Sequence, residues 1–152
     1  MVLILGINGI ISLMKGKFVD YYMDVTKRTA LLSYAEKLKV GSIIVKEDRI
    51  ISIGYNGTPS GFDNIAEYVL DDGSLKTKEE VIHAEMNAIS KLAKGPESGV
   101  GAVMFITHSP CIQCSKGIYS SGIKSVYYSE EYRDPSGILF LERCGIKVVK
   151  VL

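Results

Sequence analysis

The stretch AVMFITHSPCIQCSKGIYSSGIKSVYY, residues 102–128, decides how this chain folds. The run AVMFIT has the length and apolar content of a buried strand. PCIQCSKGIYSSG then predicts a short helix, with Pro110 near its first position and Gly122 past its end. After that glycine, GIKSVYY reads as a second strand, and GIKVVKVL (145–152) repeats the pattern behind another helix-like segment. Helices alternating with strands imply a sheet carrying helices on its faces.

Working outward, VGSIIVKE and RIISIGYNG, joined by the polar turn at Glu47 and Asp48, predict a hairpin. Tyr22, Val25, Leu32 and Ala35 keep helical spacing and predict a helix from Val19 to about Leu38. A further helix is expected where Ile82, Met86, Ile89 and Ala93 line up, ended by Gly95 and Pro96. Residues 64–79 carry no period and read as a surface loop able to cover a site. The fold class is therefore α/β, a three-layer α/β/α sandwich whose central mixed sheet has about five strands, mostly parallel after the hairpin. Residues 19–152 make one domain, and 1–18 an N-terminal extension. Its opening MVLILGINGIISL reads either as an extra strand or as an upstream stretch, native synthesis starting at Met14. Lys15 and Lys17 follow its apolar run and no small-residue cleavage site comes after, which argues against an export signal.

Composition narrows the function classes. The 152 residues are 47% hydrophobic and 23% charged, as in a globular domain, and no segment approaches the roughly 20 apolar residues of a membrane span. A cytoplasmic location is expected. A net charge of +1 and no block of Lys or Arg exclude broad binding to a polynucleotide backbone and favour a small substrate.

Two of the three cysteines, Cys111 and Cys114, stand three apart at the start of the predicted helix, so their side chains lie about 60° apart on one face. Both sulfurs reach one ion, and the helix's positive end favours the thiolate that binds metal. The spacing alone leaves three readings: a redox couple, half of a structural zinc site, or a catalytic centre. HAEMNAI (83–89) decides among them, because His83 opens a helix with Glu85 two positions on, and H-x-E with a downstream P-C-x-x-C is the zinc-deaminase signature. One imidazole and two thiolates leave the fourth corner of a tetrahedral zinc for water, whose pKa the metal lowers toward neutrality. Glu85 is then the proton carrier of a hydrolytic deamination, turned toward that water without ligating. His108, three residues before Cys111, reads as a local hydrogen-bonding residue, and Cys144 as a buried free thiol.

With these residues in place, the chain resembles the deoxycytidylate (dCMP) deaminase family of the cytidine/deoxycytidylate deaminase superfamily, from about Ser33 to Val149. The resemblance rests on VGSIIVKEDRIISIGYNGTPSG, IHAEMNAI, THSPCIQCSKGIYSSGIKSVYY and EEYRD, with GYNGTPSG pointing to the deoxycytidylate branch. It implies conversion of dCMP to dUMP and ammonia. It also implies that Asn56 binds the sugar or phosphate, that Ser33 approaches the phosphate, that Tyr132 packs on the base, and that the backbone at Ala84 reads the pyrimidine edge. Each has a plainer reading: Asn56 as a turn residue, Ser33 as a helix-surface hydroxyl, Tyr132 as a core aromatic. Where relatives follow the serine with Lys and a polar or Cys-containing loop, this chain has SYAEKLKV, so Lys37 or Lys39 is left to supply positive charge. Residues 64–79 lack the Cys and His that hold a second zinc in some relatives, so one zinc per chain is expected. The family further implies a homo-oligomer, often a hexamer, and effector sites for dCTP and dTTP with Mg2+. Rival readings are the cytidine, tRNA adenosine, guanine and riboflavin-pathway deaminases that share the metal pattern, and a non-catalytic zinc-bearing nucleotide-binding regulator.

Overall fold

Glu47 and Asp48 both adopt left-handed backbone, φ 50° and 57°, as a two-residue turn matched to strand twist requires. That turn joins β1 (Gly41–Lys46) to β2 (Arg49–Tyr55) in antiparallel register, Lys46 opposite Arg49. The structure is a computed structural model describing residues 14–152. Around the hairpin, in chain order, lie α1 (Gly16–Ala30) before it, then β3 (Glu67–Val69), β4 (Leu75–Thr77), α2 (Ala84–Leu92), β5 (Val103–His108), α3 (Ile112–Ser120), β6 (Ser125–Glu130), α4 (Ser136–Arg143) and β7 (Lys147–Lys150). The central sheet runs β2-β1-β5-β6-β7. β1 is antiparallel to β2 and β5, whereas β5, β6 and β7 are parallel, which is the mixed five-stranded sheet expected.

Alternation along the strands divides the core in two. On one face Ile43, Val45, Phe105 and Tyr127 meet Tyr22 and Met23 of α1, and the Phe105 and Tyr127 rings stack with centroids 4.9 Å apart. Ile44, Met104, Ile106 and Val126 point the other way, against Ala88 and Leu92 of α2, Ile118 of α3 and Leu141 of α4. The two faces make the three layers.

Three local expectations need correction. α1 begins at Gly16, inside the stretch assigned to the extension, because Met14 and Val19 pack on the Phe105–Tyr127 cluster. It ends at Ala30 rather than near Leu38, where the amides of Leu31, Leu32 and Ser33 reach back three residues and tighten the last turn. Residues 64–79 hold the β3–β4 hairpin, with Glu67 opposite Thr77; strands of three residues are too short to show a period. On α2 the buried positions are Ala84, Glu85, Ala88 and Leu92. Met86 and Ile89 turn toward α3, beside Gly117. The small side chains let α2 lie directly on β2: a Cβ at Gly54 would collide with the Ala84 carbonyl, and Ser52 donates to the Ala88 carbonyl at 2.7 Å. The extra strand considered for the opening residues falls outside the described residues, among which no helix is long and apolar enough to cross a membrane.

Candidate active site

Packing α2 on β2 and α3 after β5 brings two helix N-termini together. His83 is the residue before α2 and Cys111 the residue before α3, both with extended backbone, and neither caps its helix through its side chain. Their donor atoms are therefore free for another partner. His83 Nδ1 lies 3.6 Å from Cys111 Sγ and 3.4 Å from Cys114 Sγ. Zn–N of about 2.0–2.1 Å and Zn–S of about 2.3 Å at a tetrahedral angle require an N···S edge of about 3.6 Å. The three donors fit one zinc ion. Among the described residues no fourth His, Cys, Asp or Glu joins the group. His108, the nearest rival, faces the Thr107 hydroxyl at 3.0 Å, in keeping with a local hydrogen-bonding role. Cys144 is a free thiol, half-buried against the core at the end of α4.

Electrostatics match the donor set. Hydrogen bonds from Cys114, then from His83, hold the Cys111 thiol well below the ordinary thiol range, while Cys114, giving its proton to that bond and buried besides, is pushed up. His83 is raised, first by its hydrogen bond to Cys111. Glu85, in the first turn of α2 and 5% exposed, has its carboxyl pushed up to about 6 by burial.

A cavity of about 170 Å³ opens beside these groups, small against the roughly 300–1,000 Å³ of drug-sized pockets. His83, Ala84, Glu85, Cys111, Asn56 and Tyr132 all line it. Ser33 does not: it is buried a step behind, its hydroxyl donating to the Asn56 carbonyl at 2.7 Å and accepting the Ala35 amide at 3.1 Å. Nor is it a helix-surface hydroxyl, α1 having stopped at Ala30. The Asn56 side chain is likewise engaged, Oδ1 accepting the Val40 amide and Nδ2 donating to the Leu38 carbonyl, each at 2.8 Å. Tyr132 is fixed through its amide, which donates to Ser109 Oγ at 2.7 Å.

Sequence reasoning passed over Gly137, Ser109 and Glu67. Gly137 is the second residue of α4, where a Cβ would run into the Pro110 carbonyl and the Cys111 backbone, so its bareness seats α4 against the ligand turn. No local pattern marks it, since the clash comes from a segment more than twenty residues away.

An imidazole and two thiolates sharing one corner, with a buried carboxylate alongside, define the class of zinc-dependent deaminases. Residues 17–130 match the family model described as the cytidine and deoxycytidylate deaminase zinc-binding region, and the chain belongs to that family. It is 40% identical over 136 residues to ComE operon protein 2 of Bacillus subtilis strain 168, covering 87% of this chain and 70% of that protein. It is 34% identical over 152 residues to the deoxycytidylate deaminase of Enterobacteria phage T4, covering 74% and 79%. Among solved structures, the dCMP deaminase of cyanophage S-TIM5, in complex with dCMP and dUMP, superposes with a TM-score of 0.85 at 45% identity, over 91% of this chain and 100% of that one.

Proposed function

We propose that this chain hydrolyses dCMP to dUMP and ammonia, with one zinc ion held by His83, Cys111 and Cys114. The N···S edges of 3.6 and 3.4 Å beside a buried Glu85 carry the reading, and the likeness to a structure holding dCMP and dUMP supports the substrate. A zinc ion held by these three residues would supply Lewis acidity, lowering the pKa of a bound water toward neutrality. Glu85 takes one proton from the attacking water and gives it to the ring nitrogen, then carries the second from the newly bonded hydroxyl to the amino group as the C–N bond breaks and ammonia leaves. The Ala84 backbone, fully buried at the cavity wall, reads the pyrimidine edge, and Tyr132 packs on the base. Asn56 stands on the sugar and phosphate side, and Ser33 acts there through the Asn56 carbonyl it holds. Lys37, the one lysine or arginine in the lining among the described residues, supplies positive charge for the phosphate. A cytoplasmic location is in keeping with that substrate.

A second cavity of about 760 Å³ lies across Asn56, walled by Tyr55 to Phe62 with Lys91 and Lys94. Its size and two lysines favour an effector site for dCTP or dTTP with Mg2+. Exposed Tyr34, Phe62, Ile65, Tyr68 and Val69 cluster in the neighbouring segments and favour a homo-oligomer, a hexamer by family.

Rates on dCMP, deoxycytidine, dCTP and guanine, with and without dCTP and dTTP, test the reading. Preference for dCMP with about one zinc per chain is expected. Faster turnover of deoxycytidine, or full activity in metal-free protein, would overturn it.

A further inference from the structure

Among the described residues only two charged side chains are buried, Glu85 in the catalytic corner and Glu67, 8% exposed, at the start of β3. Burying a carboxylate costs free energy unless hydrogen bonds or a cation compensate it. No salt bridge among the described residues involves Glu67. Its partners are two backbone amides instead: Oε1 accepts Glu36 N–H at 3.1 Å and Lys37 N–H at 3.2 Å. A carboxylate aimed at consecutive amides of an irregular segment fixes that segment's path, because charged acceptors make the stronger hydrogen bonds.

The segment so held is the rim of the substrate cavity. Lys37, Leu38 and Val40 line it, and so does Thr77, the residue opposite Glu67 in the β3–β4 register. One hairpin thus presents Thr77 to the cavity while Glu67 grips the adjoining rim from behind. At the far end of the segment Asn56 takes Val40 N–H and Leu38 C=O, so Lys37 stands between two anchors. Lysine is a flexible cation whose reach depends on where its backbone is set.

Resting on the dCMP reading, we propose that Glu67 is a positioning residue: by clamping the Glu36 and Lys37 amides it holds Lys37 at the cavity mouth, where the lysine selects a substrate bearing a phosphate. Glu67 touches no reacting atom. Its loss therefore falls on recognition of the charged substrate and leaves the chemical step.

Two variants of the full zinc-loaded chain test this. Glu67→Ala is expected to speed hydrogen exchange at the Glu36 and Lys37 amides at least about tenfold, the protection of a hydrogen bond lost. It is also expected to raise KM for dCMP about tenfold while kcat stays within about twofold and deoxycytidine kinetics do not move. Glu67→Gln keeps an acceptor oxygen and is expected to restore both readouts to within about threefold of wild type. Unchanged exchange and KM in Glu67→Ala would overturn the clamp, as would equal losses on dCMP and deoxycytidine, which mark a merely structural role. Should Glu67→Ala not fold, the shorter Glu67→Asp carries the test: faster exchange at the two amides with a KM rise confined to dCMP supports the proposal, and both unchanged overturn it. A wild-type chain that ignores dCMP would sink the substrate reading, while exchange at the two amides judges the clamp separately.

Discussion

The cavity has two walls built on different principles. On the ligand wall, His83, Glu85, Cys111 and Cys114 sit within the first turns of α2 and α3, helices seated on the sheet through Ala88, Leu92 and Ile118. The facing rim, residues 33–40 with Asn56, has no regular structure of its own and is held by side chains reaching backbone groups: Ser33 to Asn56, Asn56 to Leu38 and Val40, Glu67 to Glu36 and Lys37. Core packing thus fixes the groups proposed to react, and discrete hydrogen bonds fix those proposed to read the substrate. Changes on the first wall should strike turnover. Changes on the second should strike KM and leave turnover.

Metal removal should have the largest effect. Chelation, or His83→Ala, is expected to abolish detectable deamination and drop zinc from about one per chain toward zero, since two thiolates alone do not complete the site. Activity persisting at zero zinc by elemental analysis would break the distinction at its root. Glu85→Gln comes next. It should keep zinc and lose about 10²–10⁴-fold in kcat, the span for a removed general acid–base group. A normal kcat would move the proton carrier elsewhere.

How much of each wall the sequence discloses follows the same divide. The ligand wall is legible because its residues lie two or three apart on helix starts, and local spacing there is spatial spacing: His83, Glu85, Cys111 and Cys114 fall together as their pattern implies. The β1–β2 hairpin is legible from its polar two-residue turn and the apolar runs around it. The rim is not. Glu67 acts on amides thirty residues away, and Ser33 sits beside Asn56 only because α1 stops early, a result of tertiary hydrogen bonding that helical spacing cannot display. Gly137 is hidden for the same reason: its meaning lies in the Pro110 carbonyl it faces.

On the rim, Asn56→Ala is the sharpest single cut. It strips a partner from Val40 N–H and from Leu38 C=O, and should cost about 2 to 3 kcal/mol in urea unfolding, about one hydrogen bond's worth at each with some desolvation added. It is expected to raise KM for dCMP more than it lowers kcat. A larger fall in kcat than rise in KM would mean that the rim also positions the reacting groups, and the two walls would no longer be separable.

The smallest effect returns to Glu85 and separates its chemistry from its cost to the fold. In the metal-free chain burial raises its carboxyl from the ordinary 4.5 to about 6, so the folded state holds that proton more tightly than the unfolded state does. The favourable contribution is complete below pH 4.5 and is lost as pH rises through 6, where the buried group must ionise. Above pH 7 the ionised carboxylate costs the fold about 2 kcal/mol, 1.36 kcal/mol for each unit of the displacement. Glu85→Gln cannot ionise, so the metal-free variant should gain about that much over metal-free wild type at pH 7.5 and nothing at pH 4. Urea unfolding of both at the two pH values reads the difference. Equal stability at pH 7.5 would mean that the carboxylate is well solvated or paired where it sits, and the ligand wall would then carry no ionisation cost of its own.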